Sequence, residues 1–373
     1  MIRHCISTEK SARGEYAAMS KMVYIIFKDK FTAGFIDFIE ISFPEYEHVF
    51  FVLNENGEIK PTVDAKIISL ASYKQLIQKS GCYNHYAKSA DKIVFTGVFN
   101  MDTVLAYLNF APDILSKTYF HFWGGDYHQY TKKRKGLKCS ILRGLRNRCF
   151  SKCGGLIFLT EGEEGVFKQL TGAKNRVFVA PMPISPNKMI DYSKYSSKYN
   201  DNVIRIVLGN SASETNCHEE ALKLLKKHLQ GEFLIICPLS YGNHVEYREH
   251  IINLGKELFG ARFEAVTDYM ERAEYVQMLA NCDVGFFYNN RQQALGNINI
   301  LLNLGKTVYI RKDTSMWEYY EKEGYHLKST DEFEEIGLEL IESSYLEENK
   351  TRKTSQMKFE KAVSSWREVF ECK

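Results

Sequence analysis

Short apolar runs recur along the chain, the first of them closed by charge. The first covers residues 22–27, and others cover 49–53, 67–70, 93–95, 118–122 and 155–159. Runs of this length without alternation predict strands buried on both faces. Helical spacing lies between several of them, as at residues 103–110. Strands alternating with helices predict a parallel sheet covered by helices on both sides.

The pattern breaks at residues 180–186, which hold three of the seven prolines. Proline fixes φ and lacks an N–H donor, so this segment is expected to be an extended connector. A second series follows. Strands are predicted at 203–208, 233–238, 262–266, 284–288 and 307–310, and helices at 217–229, 245–258, 270–280 and 297–304. The fold class is therefore α/β, with two doubly wound Rossmann-like domains facing a cleft. Residues 22–184 and 185–345 are the expected domains, and 346–373 a charged helical tail that folds back over the first. Residues 1–21 carry charge throughout and lack the apolar core of a signal peptide, so a disordered leader or an upstream start codon is expected.

A length of 373 residues suits two cores, and the hydrophobic and charged fractions of 45% and 25% are those of a globular protein. Nine cysteines show no CxxC spacing, which supports reduced thiols in a cytoplasmic protein over a zinc site or disulfide framework. The longest apolar runs are too short to span a membrane.

Ligands of open α/β sheets sit beyond the carboxyl ends of the strands. Five segments there, or beside them, carry candidate chemistry. Gly209-Asn210-Ser211 opens a loop that continues through Asn216 and His218 into a helix. Its polar residues suit a helix cap and also an anion at a helix N-terminus. Pro238 precedes Tyr241-Gly242, a pair that fits a stacked nucleobase or a simple turn. Tyr288 leads into Arg291-Gln292-Gln293, with Gly296 and Asn297 starting a predicted helix. Three long polar side chains after an aromatic run favour ligand contact, and Arg291 can fork onto a diphosphate. His121 and Trp123-Gly124-Gly125-Asp126 end a strand. Asp126 is a candidate general base there, although a helix cap explains it equally well, and His121 is a weaker candidate. Last, residues 131–152 contain no acid. Lys132, Lys133, Arg134, Lys135, Lys138, Arg143 and Arg146 accompany an apolar stripe of Leu137, Ile141, Leu142 and Leu145. A basic amphipathic helix favours an anionic membrane surface. Aromatics do not interleave with the charges, which argues against nucleic acid.

These segments together resemble the TDP-N-acetylfucosamine:lipid II N-acetylfucosaminyltransferases, glycosyltransferase family 56. The resemblance rests on Trp123-Gly124 with Asp126, Gly209-Asn210-Ser211 with Asn216 and His218, Pro238 with Tyr241, and Arg291-Gln292-Gln293 with Gly296. It extends from about Met22 to the region of Trp317. It implies a GT-B glycosyltransferase with a nucleotide-activated deoxyamino sugar as donor and an undecaprenyl-diphosphate-linked saccharide as acceptor. The second domain is then expected to hold the donor, and Trp123 with the basic helix to serve the acceptor and the inner face of the bacterial inner membrane. No cofactor or metal is expected, since no Asp-x-Asp pair is present. A different nucleotide sugar, a sugar-nucleotide epimerase of the same architecture and a non-catalytic envelope protein are the alternatives.

Overall fold

The computed structural model describes residues 19–53, 60–78, 81–129, 136–183, 185, 189–242 and 245–372. Residues 1–18 and Lys132, Lys133, Arg134 and Lys135 lie outside them. The leader expectation is thus addressed only at its end, where Lys21 already belongs to a strand.

The first sheet contains β1 (Lys21–Phe27), β2 (Glu47–Leu53), β3 (Ile67–Leu70), β4 (Lys92–Thr96), β5 (Thr118–His121), β6 (Gly155–Phe158) and β7 (Val177–Val179). The second contains β8 (Ile204–Leu208), β9 (Phe233–Pro238), β10 (Phe263–Val266), β11 (Val284–Phe287), β12 (Thr307–Ile310) and β13 (Lys328–Ser329). Strand orders are β3-β2-β1-β4-β5-β6-β7 and β10-β9-β8-β11-β12-β13. Every pairing is parallel.

Side-chain alternation decides the faces. Val23 and Ile25 enter one core of the first sheet, while Met22, Tyr24 and Ile26 enter the other. Likewise Ile206 and Leu208 face one core of the second sheet, and Val207 the opposite one. Both faces are covered, as continuous apolar strands require. The strand order reverses at β1, between β2 and β4, and at β8, between β9 and β11. These two switch points place crevices beyond Phe27 and Thr96, and beyond Leu208 and Phe287.

The tail forms two helices, Ser343–Arg352 and Ser355–Glu371, not one. Thr354 breaks them, its side chain accepting from the Met357 N–H as an N-cap. The second helix buries Ala362, Trp366, Val369 and Phe370 in the core that also holds Phe35 and Phe38 of the first half. The helix expected to begin at Asn297 spans Leu295–Asn303.

Candidate active site

The loop leaving β8 turns at Gly209, which has φ +67. A Cβ at this position would stand 2.5 Å from His218 Nε2 and 2.9 Å from Asn216 Oδ1, so only glycine fits. The Asn216 side chain is the loop's internal brace. Its Oδ1 accepts from the Asn210 N–H at 3.1 Å and from Asn289 Nδ2 at 3.2 Å. Its Nδ2 donates to the Ser211 carbonyl at 3.0 Å. Gln293, from the β11 exit, donates from Nε2 to Asn210 Oδ1 at 2.9 Å and accepts from Thr215 Oγ1 at 2.6 Å. The two loops at this switch point are thereby one hydrogen-bonded unit.

This geometry sets several residues expected to contact a ligand beneath the loop surface. Asn216 and His218 are 1% and 0% exposed, so they shape the loop from beneath. His218 Nδ1 lies 3.0 Å from the Tyr247 hydroxyl, and burial lowers its pKa to about 4, which keeps the ring neutral. Ser211, Gln292 and Pro238 are also buried. Asn210, Gln293 and Arg291 are half-buried, and Gly296 is exposed. Ala294 caps the helix Leu295–Asn303 at φ +61 without a side-chain bond to the first turn. Its leading amides are therefore suited to an anion. Asn297 is engaged elsewhere, donating to the Tyr275 hydroxyl at 2.7 Å.

The β5 exit of the first half meets this unit directly. Gly124 has φ +88, and a Cβ there would stand 2.2 Å from Gln292 Oε1. A Cβ at Gly125 would lie 3.4 Å from Arg291 Nη2. Arg291 donates from Nη1 to the Gln292 carbonyl at 2.8 Å. Burial lowers its pKa, while Asp126 and Glu163 of the first half push it back up. A second cross-cleft contact runs from the Tyr241 hydroxyl to Asp29 Oδ2 at 2.7 Å, with Lys30 Nζ 4.4 Å from the Tyr241 ring centre. Tyr241 thus bridges the halves while it remains 50% exposed.

Asp126 is fully buried. Its Oδ2 accepts from the Val98 N–H at 3.0 Å, and its Oδ1 from the Trp123 and Tyr127 N–H groups, each at 3.0 Å. Burial raises its pKa to about 6, against the pull of those amides and Arg291. It lies inside this turn, whose N-cap is Gly124, and ties the β4 and β5 exits together. In this structure its carboxylate offers no exposed oxygen to a substrate. His121 is likewise fully buried, 5.0 Å from the Trp366 ring and 2.8 Å from Thr96 Oγ1 through Nδ1. Burial lowers its pKa to about 3, which keeps the ring neutral, and Thr96 Oγ1 stands between it and Trp123. Trp123 stays half-buried at the cleft, donating from Nε1 to Thr96 Oγ1 at 3.1 Å.

Sequence reading missed Glu163, Ser315 and Arg311. Glu163 opens the helix Glu163–Thr171 behind Gly162, which has φ +90. It is 3% exposed, accepts from the hydroxyls of Tyr127 and Ser315, and has its pKa raised to about 7 by burial. Its signal was present as Glu161-Gly162-Glu163 after an apolar run. Arg311 follows β12, lies 4.9 Å from the Tyr288 ring centre and pairs with Asp313.

The basic helix spans Leu137–Lys152 among the described residues. Lys138 is exposed and Arg143 half-buried. Arg146 is a correction: it is 6% exposed, with Nη1 3.8 Å from Asp102 Oδ1, and faces inward. Leu137 and Ile141 project outward at 79% and 55% exposure. Phe110 is 77% exposed nearby, since the Asn109 side chain donates to the Leu145 carbonyl at 2.8 Å.

Two parallel sheets with facing switch points, joined by glycine turns on an arginine loop, define a GT-B fold. The chain belongs to glycosyltransferase group 56, the 4-alpha-L-fucosyltransferase family, whose model matches residues 29–344. Solved structures share the fold at low identity. A glycosyltransferase from Rickettsia africae ESF-5 superposes with TM-score 0.63 at 9% identity, covering 95% of this chain and 100% of that one. WaaG, a glycosyltransferase of lipopolysaccharide biosynthesis, gives TM-score 0.59 at 10% identity, covering 94% and 100%. Anabaena HepE, solved with UDP and glucose, gives TM-score 0.57 at 14% identity, covering 94% of each chain.

Proposed function

We propose that this glycosyltransferase moves a 4-acetamido-4,6-dideoxygalactose-type sugar from a TDP donor to an undecaprenyl-diphosphate-linked saccharide. The observation that carries the reading is the seating of Gly124-Gly125 against Arg291-Gln292 at the joined switch points. The donor diphosphate lies against Arg291, the Gly209-Asn210 backbone and the first amides of Leu295–Asn303. Arg291 keeps N–H donors beyond the one given to Gln292, and a guanidinium fork suits phosphate oxygens. These groups stabilise the charge that develops as the diphosphate leaves. They supply the positive potential that a divalent ion otherwise brings, so the transfer proceeds without a metal. The UDP held by HepE supports a nucleoside diphosphate in such a cleft. The exposed Leu137, Ile141 and Phe110 beside Lys138 support docking on an anionic membrane, where a lipid-linked acceptor resides.

Calorimetry with TDP, UDP, GDP and CMP, each with and without magnesium, tests this. TDP is expected to bind tightest, with affinity unchanged by magnesium. Arg291→Ala should weaken TDP by ~10–100-fold, since a hydrogen bond to a charged group contributes ~1.5–3 kcal/mol. Preference for another base discards the TDP donor. Unchanged affinity in Arg291→Ala removes this residue from the site.

A further inference from the structure

Two carboxylates, Asp126 and Glu163, act on Arg291, and they differ in what holds them. Asp126 takes main-chain N–H groups of Val98, Trp123 and Tyr127, all in its own half. Backbone donors cannot rotate aside, so this carboxylate has no approach for a substrate. Glu163 takes two hydroxyls instead, Tyr127 on Oε2 and Ser315 on Oε1. Tyr127 shares its half, whereas Ser315 belongs to the opposite one, at the start of the helix Ser315–Lys322. A hydroxyl of the nucleotide-side half therefore points its proton at a carboxylate of the acceptor-side half. That is the arrangement a sugar hydroxyl needs when it attacks an anomeric carbon and surrenders a proton. Ser315 Oγ can rotate about its own side-chain bond, unlike a main-chain donor.

We propose that Glu163 accepts the proton of the attacking acceptor hydroxyl, which takes the position now held by the Ser315 hydroxyl. The inference rests on the glycosyl-transfer reading above. In the step, the acceptor O–H bond breaks and its proton passes to the Glu163 carboxylate. The acceptor oxygen bonds the anomeric carbon. The bond from that carbon to the diphosphate oxygen breaks, and its electron pair leaves with the nucleoside diphosphate. Reopening of the cleft returns the Glu163 proton to water. The groups facing Glu163 are Ser315 and Arg291 from the nucleotide side, Asp126 and Tyr127 from the β5 exit, and Glu164 beside it. Burial, Asp126 and Glu164 favour the protonated form, and Ser315 and Arg291 the charged one. The balance leaves a base that ionises near neutral pH, where proton transfer is effective.

The test uses the full-length chain, TDP-4-acetamido-4,6-dideoxygalactose and a lipid-linked acceptor. Wild-type kcat/KM should rise with pH through about 7, as the base ionises. Glu163→Gln should lose ~10²–10⁴-fold in kcat, keep TDP affinity within about threefold and lose the rising limb. Glu163→Asp, which retains a carboxyl, should recover at least about tenfold over the glutamine variant and restore the limb. Retention of more than about a tenth of kcat by Glu163→Gln overturns the inference, as does persistence of its rising limb or no recovery in Glu163→Asp. A wild type that binds TDP yet transfers nothing overturns the reading beneath it instead, and the inference falls with it.

Discussion

Gly124 shows how a single residue position can be under two constraints at once. Its φ of +88 is one that side chains rarely adopt, and the space for a Cβ is filled by Gln292 Oε1 at 2.2 Å. An alanine must strain the turn and displace the Gln292 side chain, with the Gln292 carbonyl 3.2 Å away. Gly124→Ala should therefore cost ~1–3 kcal/mol in urea unfolding and also weaken TDP, because Arg291 adjoins Gln292. Loss of stability with full TDP affinity would show that the two loops act separately. Both glycine and glutamine stood out in the sequence, but their contact did not, because it is made between residues remote in the chain. The histidines show a related limit. His121 and His218 carry the chemistry of catalytic residues, and only the tertiary structure reveals that each is sealed in a core. Glu163 was passed over because a carboxylate at a helix start is ordinarily a cap.

At the scale of elements, most strands were legible because they were short and predominantly apolar runs. β7 and β13, with three and two residues, were too short to leave such a pattern. The basic helix was legible too, although the sequence does not reveal which of its cations face outward. Arg146 lies against Asp102, so its removal should destabilise the fold and not the membrane contact. Lys138 and Arg148 are exposed, and Leu137, Ile141 and Phe110 add apolar surface. Flotation with phosphatidylglycerol-rich vesicles should recover the wild type at low salt. Lys138→Glu with Arg148→Glu should reduce binding by at least ~2 kcal/mol, given ~1 kcal/mol per lost cation, and Ile141→Asp should reduce it further. High salt should mimic the charge reversals, because exposed charges are screened. Equal flotation of the charge-reversed variant would remove this face as the membrane contact.

The whole molecule is held together by more than its cleft. The helix Ser355–Glu371 begins beside the second half, where Lys361 Nζ lies 2.9 Å from Glu323 Oε1, and ends within the core of the first. Trp366 is its anchor. The ring is fully buried, 5.3 Å from Phe35 and 5.0 Å from His121, and Nε1 donates to the Pro181 carbonyl at 3.2 Å. The exposed ion pairs along this path contribute little each, so the apolar anchor dominates. Trp366→Ala leaves a cavity in a closely packed layer and strands the Pro181 carbonyl, at a cost of ~3–5 kcal/mol. That loss falls on the first half alone. Calorimetry should therefore show one melting transition in the wild type and two in Trp366→Ala, the lower belonging to the first sheet. TDP affinity should survive at temperatures between the two transitions only if the second half binds it unaided. A single transition with an unchanged midpoint would mean that the cleft contacts, and not this helix, join the halves.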